Sequence, residues 1–391
     1  MRWIGLVGAV ALSGCMTAGP APVTSSVQIN AANAKQLQQA GAAILFWDQA
    51  KRDANFPHME TLFPGHIVKA GGRVRALPLG APLPIDPAAV DAYMAANNTA
   101  GLIVVQDGKI RLERYARGYA RDGRYTSFSV AKSFTSTLVG AAIKDGYIKS
   151  VDEPVTRYLP ELAGSGYDGV TIAQLLTMTS GVKWNEDYTD PKSDVAAMYA
   201  KPAPAGMDPT IAYMRTLPRD TAPGSKWVYK TGETNLIGVL VSKATGRPLA
   251  TYLSDKVWKP FGMERDAFWM IDPSGQEVSG CCLSVSLRDY ARMGLLALTG
   301  GKGIVKPGWF AAATTSKAEI GRGPGYGYGY QWWTYPEGRF GANGIFGQNI
   351  LVDPAHRIVI AMSSAWPKAT DRDLQVVRAA FQQQLIDAAV K

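Results

Sequence analysis

The stretch "TSFSVAKSFTSTLVGAAI", residues 126–143, decides how the rest of the chain is read. Phe134, Leu138, Ala141 and Ala142 recur at helical spacing, which predicts a buried helix from Ala131 to Ile148, with Gly140 marking a place where something packs close. Ser129 and Lys132 stand at i and i+3 on the first turn, so both lie on one face. The segment by itself supports two readings: a capping serine beside a solvated lysine, or a nucleophile beside its base. A serine hydroxyl is protonated at neutral pH and needs a base to react. Three histidines exist, His58, His66 and His356, and none has a helpful context; no Gly-x-Ser-x-Gly elbow occurs either. A lysine can serve if burial pulls its pKa down from about 10.4. A helix N-terminus also disfavours a cation and offers the Ser129 N–H to an oxyanion.

Upstream, Leu102–Val105 and Ile110–Tyr115 are apolar or β-prone runs joined at Asp107-Gly108, a strong hairpin signal. Downstream, Val151 to about Thr245 mixes short helices, such as Thr171–Met178, with Pro- and Gly-bearing loops. Then come a helix over Ser286–Leu298, β-prone runs at Gly327–Tyr335, Ile345–Val352 and Ile358–Ser364, and a last helix from Asp371 to Val390. Strands at both chain ends around a helical middle predict an α+β fold: an antiparallel sheet flanked by helices, with an inserted, mostly helical lobe over about 132–250.

Net charge is +9, yet Lys and Arg are scattered rather than gathered into an aromatic-laced stripe, so nucleic acid is not an expected partner. The N-terminus, MRWIGLVGAVALSGC, carries an apolar run too short to span a bilayer and reads as a secretory signal over residues 1–14. Leu12-Ser-Gly-Cys15 resembles a bacterial lipobox, which would leave Cys15 as a lipidated first residue, followed by a tether over 15–41 and a folded unit over 42–391. Met16 rather than Asp after that cysteine implies, by the same resemblance, the outer membrane facing the periplasm. Cys281 and Cys282 are neighbours and read as small buried residues rather than a disulfide. No Cys-x-x-Cys or His-rich cluster accompanies them, and no metal or other cofactor is expected.

Two further segments favour the reacting pair. In Pro223-Gly-Ser-Lys-Trp-Val-Tyr-Lys-Thr-Gly232, Tyr229 precedes a turn and a helix; beside Lys132 and Lys230 its phenolate would be favoured and could relay a proton. In Gly341-Ala-Asn-Gly-Ile-Phe-Gly347, glycines inside an expected strand suggest close approach of another group. In this order the three segments resemble the penicillin-recognising serine hydrolases: class C β-lactamases, DD-peptidases and family VIII carboxylesterases. Blocks such as Ile44-Leu-Phe-Trp47, Gln174-Leu-Leu-Thr-Met-Thr-Ser-Gly181 and Asn185-Glu-Asp-Tyr-Thr-Asp-Pro191 look like those of the 6-aminohexanoate-dimer hydrolase branch, the nylon-oligomer hydrolases. The resemblance implies Ser129 as acylated nucleophile, Lys132 as its partner and Tyr229 as proton relay. It further implies the N–H groups of Ser129 and Ile345 as oxyanion hole, and Tyr188, Asn343 and Gly344 as substrate contacts.

Two departures narrow the substrate. Tyr229 is followed by Lys230-Thr231 where class C enzymes have Tyr-x-Asn, and Ala342-Asn343-Gly344 stands where they have Lys-Thr-Gly. Without that lysine a small-molecule ester, or an amide with an uncharged end, is the better expectation than a β-lactam. A DD-peptidase or β-lactamase, or a non-catalytic lipid-anchored binder of peptidoglycan fragments, remains the alternative; oligomeric state is open.

Overall fold

The computed structural model describes residues 25, 27–30 and 32–391; Cys15 and the expected signal lie outside them. Among the described residues, twelve strands form two sheets: β1 Gly65–Val68, β2 Thr99–Gln106, β3 Lys109–Tyr115, β4 Tyr125–Thr126, β5 Ala267–Met270, β6 Leu283–Val285, β7 Ala318–Glu319, β8 Gly327–Tyr328, β9 Trp333–Thr334, β10 Phe340–Asn343, β11 Asn349–Asp353 and β12 Ile358–Ser364. The helices that matter for the site are α1 Ala34–Ala43, α2 Gln49–Asn55, α3 Pro87–Ala96, α4 Ala131–Lys144, α5 Ile172–Leu176, α6 Thr231–Thr245, α7 Leu287–Leu298 and α8 Arg372–Val390.

The large sheet has the order β3-β2-β12-β11-β10-β9-β8-β7, and the small one β1-β5-β6-β4. Neighbouring strands run antiparallel throughout. The expected hairpin is β2–β3: Asp107 and Gly108 both take positive φ, 50° and 74°, as a two-residue turn matching strand twist requires. Strand β2, second from the edge, is apolar on both faces because both are covered. Ile103 and Val105 join the main core, whereas Leu102 and Val104 meet α3 and α8, where Tyr93 stacks on Phe381 at 3.6 Å between ring centroids. Helices on both faces of an antiparallel sheet, with a helical insertion between its N- and C-terminal strands, make the α+β architecture the sequence predicts.

α4 is buried from Ala131 to Ala142. Gly140 is where it must be small: a Cβ there would sit 2.6 Å from the Trp309 ring. Three local readings change. Residues 34–41, expected within a tether, belong to α1, where Ala and Gln favour a helix and the Gln38 side chain donates to the Lys201 carbonyl. The expected strand Ile345–Val352 begins instead with a 3-10 turn at Ile345–Gly347, because Phe346 adopts φ 60° and Gly347 φ 92°, and pairing resumes at Asn349. Cys281 and Cys282 are joined as a vicinal disulfide, which the left-handed backbone at Cys282, φ 71°, accommodates.

Candidate active site

Ser129 sits in a 3-10 turn, Phe128–Val130, that runs directly into α4. Phe128 holds a φ of 42°, uncommon for a bulky residue and costing on the order of 1–3 kcal/mol, so surrounding packing must hold it. That packing is aromatic: Phe128 meets Phe56 at 5.0 Å and Phe346 at 5.2 Å between ring centroids. Phe346, itself left-handed, follows Ile345 in the neighbouring turn. The amides of Ser129 and Ile345 stand in the opening turns of 3-10 segments, where a helix leaves N–H groups without internal acceptors. Gly344 lets those turns approach, since a Cβ on it would lie 2.5 Å from the Ser127 carbonyl oxygen.

From the first turn of α4, the Lys132 side chain reaches back to Ser129, with Nζ 3.1 Å from Oγ. Nζ also lies 3.1 Å from Thr231 Oγ1 and donates to the Gly280 carbonyl at 2.6 Å. Gly280 is fixed in turn, its N–H donating to Asn235 Oδ1 at 2.7 Å. Lys132 is 1 % exposed, and no carboxylate lies within ion-pair distance of it among the described residues. Burial therefore dominates, pulling its pKa down to about 7 against an opposing pull from Glu186. Burial thus favours the free amine over the ammonium.

The Tyr229 ring lies 5.2 Å from Lys132 Nζ. It stacks on Trp333 at 5.6 Å and meets Trp227 and Tyr328, so the Gly-rich run before β9 supplies part of an aromatic wall. The expectation of a phenolate is corrected here. Burial raises the Tyr229 pKa well beyond the ordinary phenol value, with the Ser129 hydroxyl opposing it only in part. Lys230, expected to help, points away and pairs with Glu233 at 3.5 Å, both side chains fully buried. Tyr229 is accordingly a neutral phenol, able to give a proton rather than to take one.

The remaining expected residues fall around this cluster. Tyr188 is half-buried and donates to Glu186 Oε1 at 2.7 Å. Asn343 is at the end of β10 with its side chain already engaged: Nδ2 donates to Tyr335 Oη at 2.7 Å, and Oδ1 accepts from Asn349 at 2.8 Å and Arg378 at 3.1 Å. The histidines stand elsewhere, His66 on Glu277 and His356 on Asp353 in the turn before β12. Sequence reasoning did not single out Glu186 or Thr231, although Trp184-Asn-Glu-Asp-Tyr-Thr189 alternates buried or half-buried with exposed residues. That period of two puts Trp184, Glu186 and Tyr188 on one inward face.

Residues 88–384 match the Beta-lactamase family. A 6-aminohexanoate-dimer hydrolase of Paenarthrobacter ureafaciens is 32% identical over 293 residues, covering 70% of this chain and 74% of that protein. Esterase EstB of Burkholderia gladioli is 31% identical over 187 residues, 44% of this chain and 47% of its own length. A solved structure from Bacillus anthracis, provisionally named a 6-aminohexanoate-dimer hydrolase, superposes with a TM-score of 0.75 at 23% identity, over 86% of this chain and 93% of that one. Two strained turns presenting amides, a buried amine on a serine and a fold shared with these hydrolases converge on one conclusion: the chain belongs to the beta-lactamase family of serine hydrolases.

Proposed function

We propose that the protein cleaves an ester or a linear amide through an acyl-enzyme on Ser129. The observation that carries this reading is the buried Lys132 amine, 3.1 Å from Ser129 Oγ, where burial lowers its pKa to about 7. In its free form Lys132 removes the Ser129 proton as Oγ attacks the carbonyl carbon. The N–H groups of Ser129 and Ile345 receive the charge that develops on the carbonyl oxygen. Tyr229 gives its proton to the leaving oxygen or nitrogen and recovers one from protonated Lys132; water then repeats the sequence in reverse to release the acid. Tyr188 lines the substrate side of the cleft, and Asn343 and Gly344 shape the strand edge against which the acyl group lies.

Support for an ester or amide comes from the names of the relatives, a 6-aminohexanoate-dimer hydrolase and an esterase. The absence of a lysine at position 342 argues against a β-lactam. Incubation with a p-nitrophenyl ester, a linear amide and a chromogenic cephalosporin in parallel, followed by mass spectrometry, tests the reading. Ester or amide turnover with an acyl adduct on Ser129 is expected; an adduct elsewhere, or turnover of the cephalosporin alone, overturns it.

We also propose attachment to the outer membrane through lipid on Cys15, supported by the lipobox-like Leu12-Ser-Gly-Cys15 and by Met16 after it. Cell fractionation of the wild type and Cys15→Ser tests this: a soluble wild type, or a variant still bound to membrane, ends it.

A further inference from the structure

Glu186 stands one residue removed from the reacting atoms, and its hydrogen bonds carry direction. Its Oε2 accepts from the Thr231 N–H at 2.9 Å and from Trp184 Nε1; its Oε1 accepts from Tyr188 Oη at 2.7 Å and from Thr231 Oγ1. A carboxylate only accepts, so the Thr231 hydroxyl proton points at Glu186. Thr231 Oγ1 can then meet Lys132 Nζ only as an acceptor. The Gly280 carbonyl is an acceptor by nature. A free amine has two N–H bonds and one lone pair; both N–H bonds are claimed, and the lone pair is left facing the third neighbour, Ser129 Oγ.

We infer that Glu186 is a positioning residue which, by holding the Thr231 hydroxyl as an acceptor, aims the Lys132 lone pair at Ser129. This rests on the proposed role of Lys132 as base. Were the Thr231 proton free to turn, it could donate to that lone pair and occupy the base. The titratable groups facing Lys132 are Glu186 and Tyr229, with Tyr188 behind Glu186. Lys230 and Glu233 pair away from it.

Glu186→Gln reverses the arrangement with little change of shape. The Trp184 and Thr231 N–H groups are obligate donors and hold the glutamine oxygen, so its NH2 faces Thr231 Oγ1 and drives the hydroxyl proton toward Lys132. The rate kcat/KM for a p-nitrophenyl ester should fall roughly tenfold to a hundredfold, the scale of a misaligned reacting group. Its alkaline plateau should fall while its acid limb moves to lower pH, because a negative charge near Lys132 is gone. Thr231→Val should produce a loss of similar size and Thr231→Ser should restore most of the rate. The deciding measurement is Glu186→Gln in the Thr231→Val background. No further loss is expected there, since the relay is already cut. An equal further loss would show that Glu186 acts through Tyr188 or the loop, and would overturn the inference. Wild-type acylation at Ser129, checked first by mass spectrometry, separates that result from failure of the proposed chemistry itself.

Discussion

The two walls of the cleft are held by different means. On one side α4 is buried along most of its length and tied down to backbone: Ser133 Oγ donates to the Gln331 carbonyl at 2.7 Å and Thr135 Oγ1 to the Ser279 carbonyl at 2.9 Å. On the other, residues 184–190 form an extended loop supported by its own side chains, with Asn185 accepting from the Asp187 N–H and Asp187 from the Thr189 N–H, at 3.0 and 2.8 Å. The first wall positions atoms through packed backbone; the second positions them through carboxylates and amides that one substitution can re-aim. Changes on the helix wall should therefore remove activity, and changes on the loop wall should tune it.

The largest effect expected is at Ser129. Ser129→Ala should lower ester hydrolysis by several orders of magnitude, as loss of a nucleophile does. Its melting temperature should be nearly unchanged, because one hydroxyl leaves a polar cleft. Comparable activity in that variant would mean that the helix wall does not carry the chemistry.

Next comes Gly344→Ala, where the Ile345 turn packs against the segment that carries Ser129. The added Cβ, 2.5 Å from the Ser127 carbonyl, forces the Ile345 turn away. A fall in kcat of roughly a hundredfold to a thousandfold is expected, the scale of a lost oxyanion donor. An unimpaired rate would show that the turns need not approach so closely.

The pH profile sharpens the contrast further. Lys132 must be unprotonated to act, and its pKa is lowered to about 7, so kcat/KM should rise with pH through that region and level off above it. His356→Ala should leave the limb in place, as that imidazole belongs to a distant turn on Asp353.

The smallest effect belongs to the loop wall. Tyr188→Phe removes one hydrogen bond to Glu186, worth about 1 kcal/mol, so a change of tenfold or less is expected. It should be felt more in KM than in kcat if Tyr188 meets substrate. An effect as large as that of Gly344→Ala would erase the distinction between the walls.

What the sequence disclosed follows the same division. Periodicity and turn chemistry are local, so the β2–β3 hairpin, α4, α7, β12 and α8 were legible, as was the Ser129–Lys132 pair, whose geometry is set by four consecutive residues running from a 3-10 turn into one helix. The state of Tyr229 was not, because it depends on an aromatic wall assembled from residues 227–229 and 328–333 and on where Lys230 turns. Glu186 and Thr231 are 45 positions apart and meet only in the fold. The 3-10 turn at Ile345 was hidden by its apolar composition, which reads as strand; only its tertiary setting pushes Phe346 into a left-handed conformation.

The strained pair Phe128 and Phe346 has a consequence for where the working unit begins. Both rings are braced by Phe56, at 5.0 and 5.4 Å, and the Arg52 guanidinium lies 5.2 Å above Phe346 while donating to the Pro367 carbonyl. Phe56 and Arg52 precede the family match at residues 88–384. A fragment trimmed to those limits would retain every residue given a role in the proposed hydrolysis, yet the two turns would lose the Phe56 ring and the Arg52 guanidinium that pack against them. Family boundaries drawn by sequence likeness thus leave out part of the packing around the candidate site, and a fragment reaching back to α2 is expected to hold the two turns better than one that starts at residue 88.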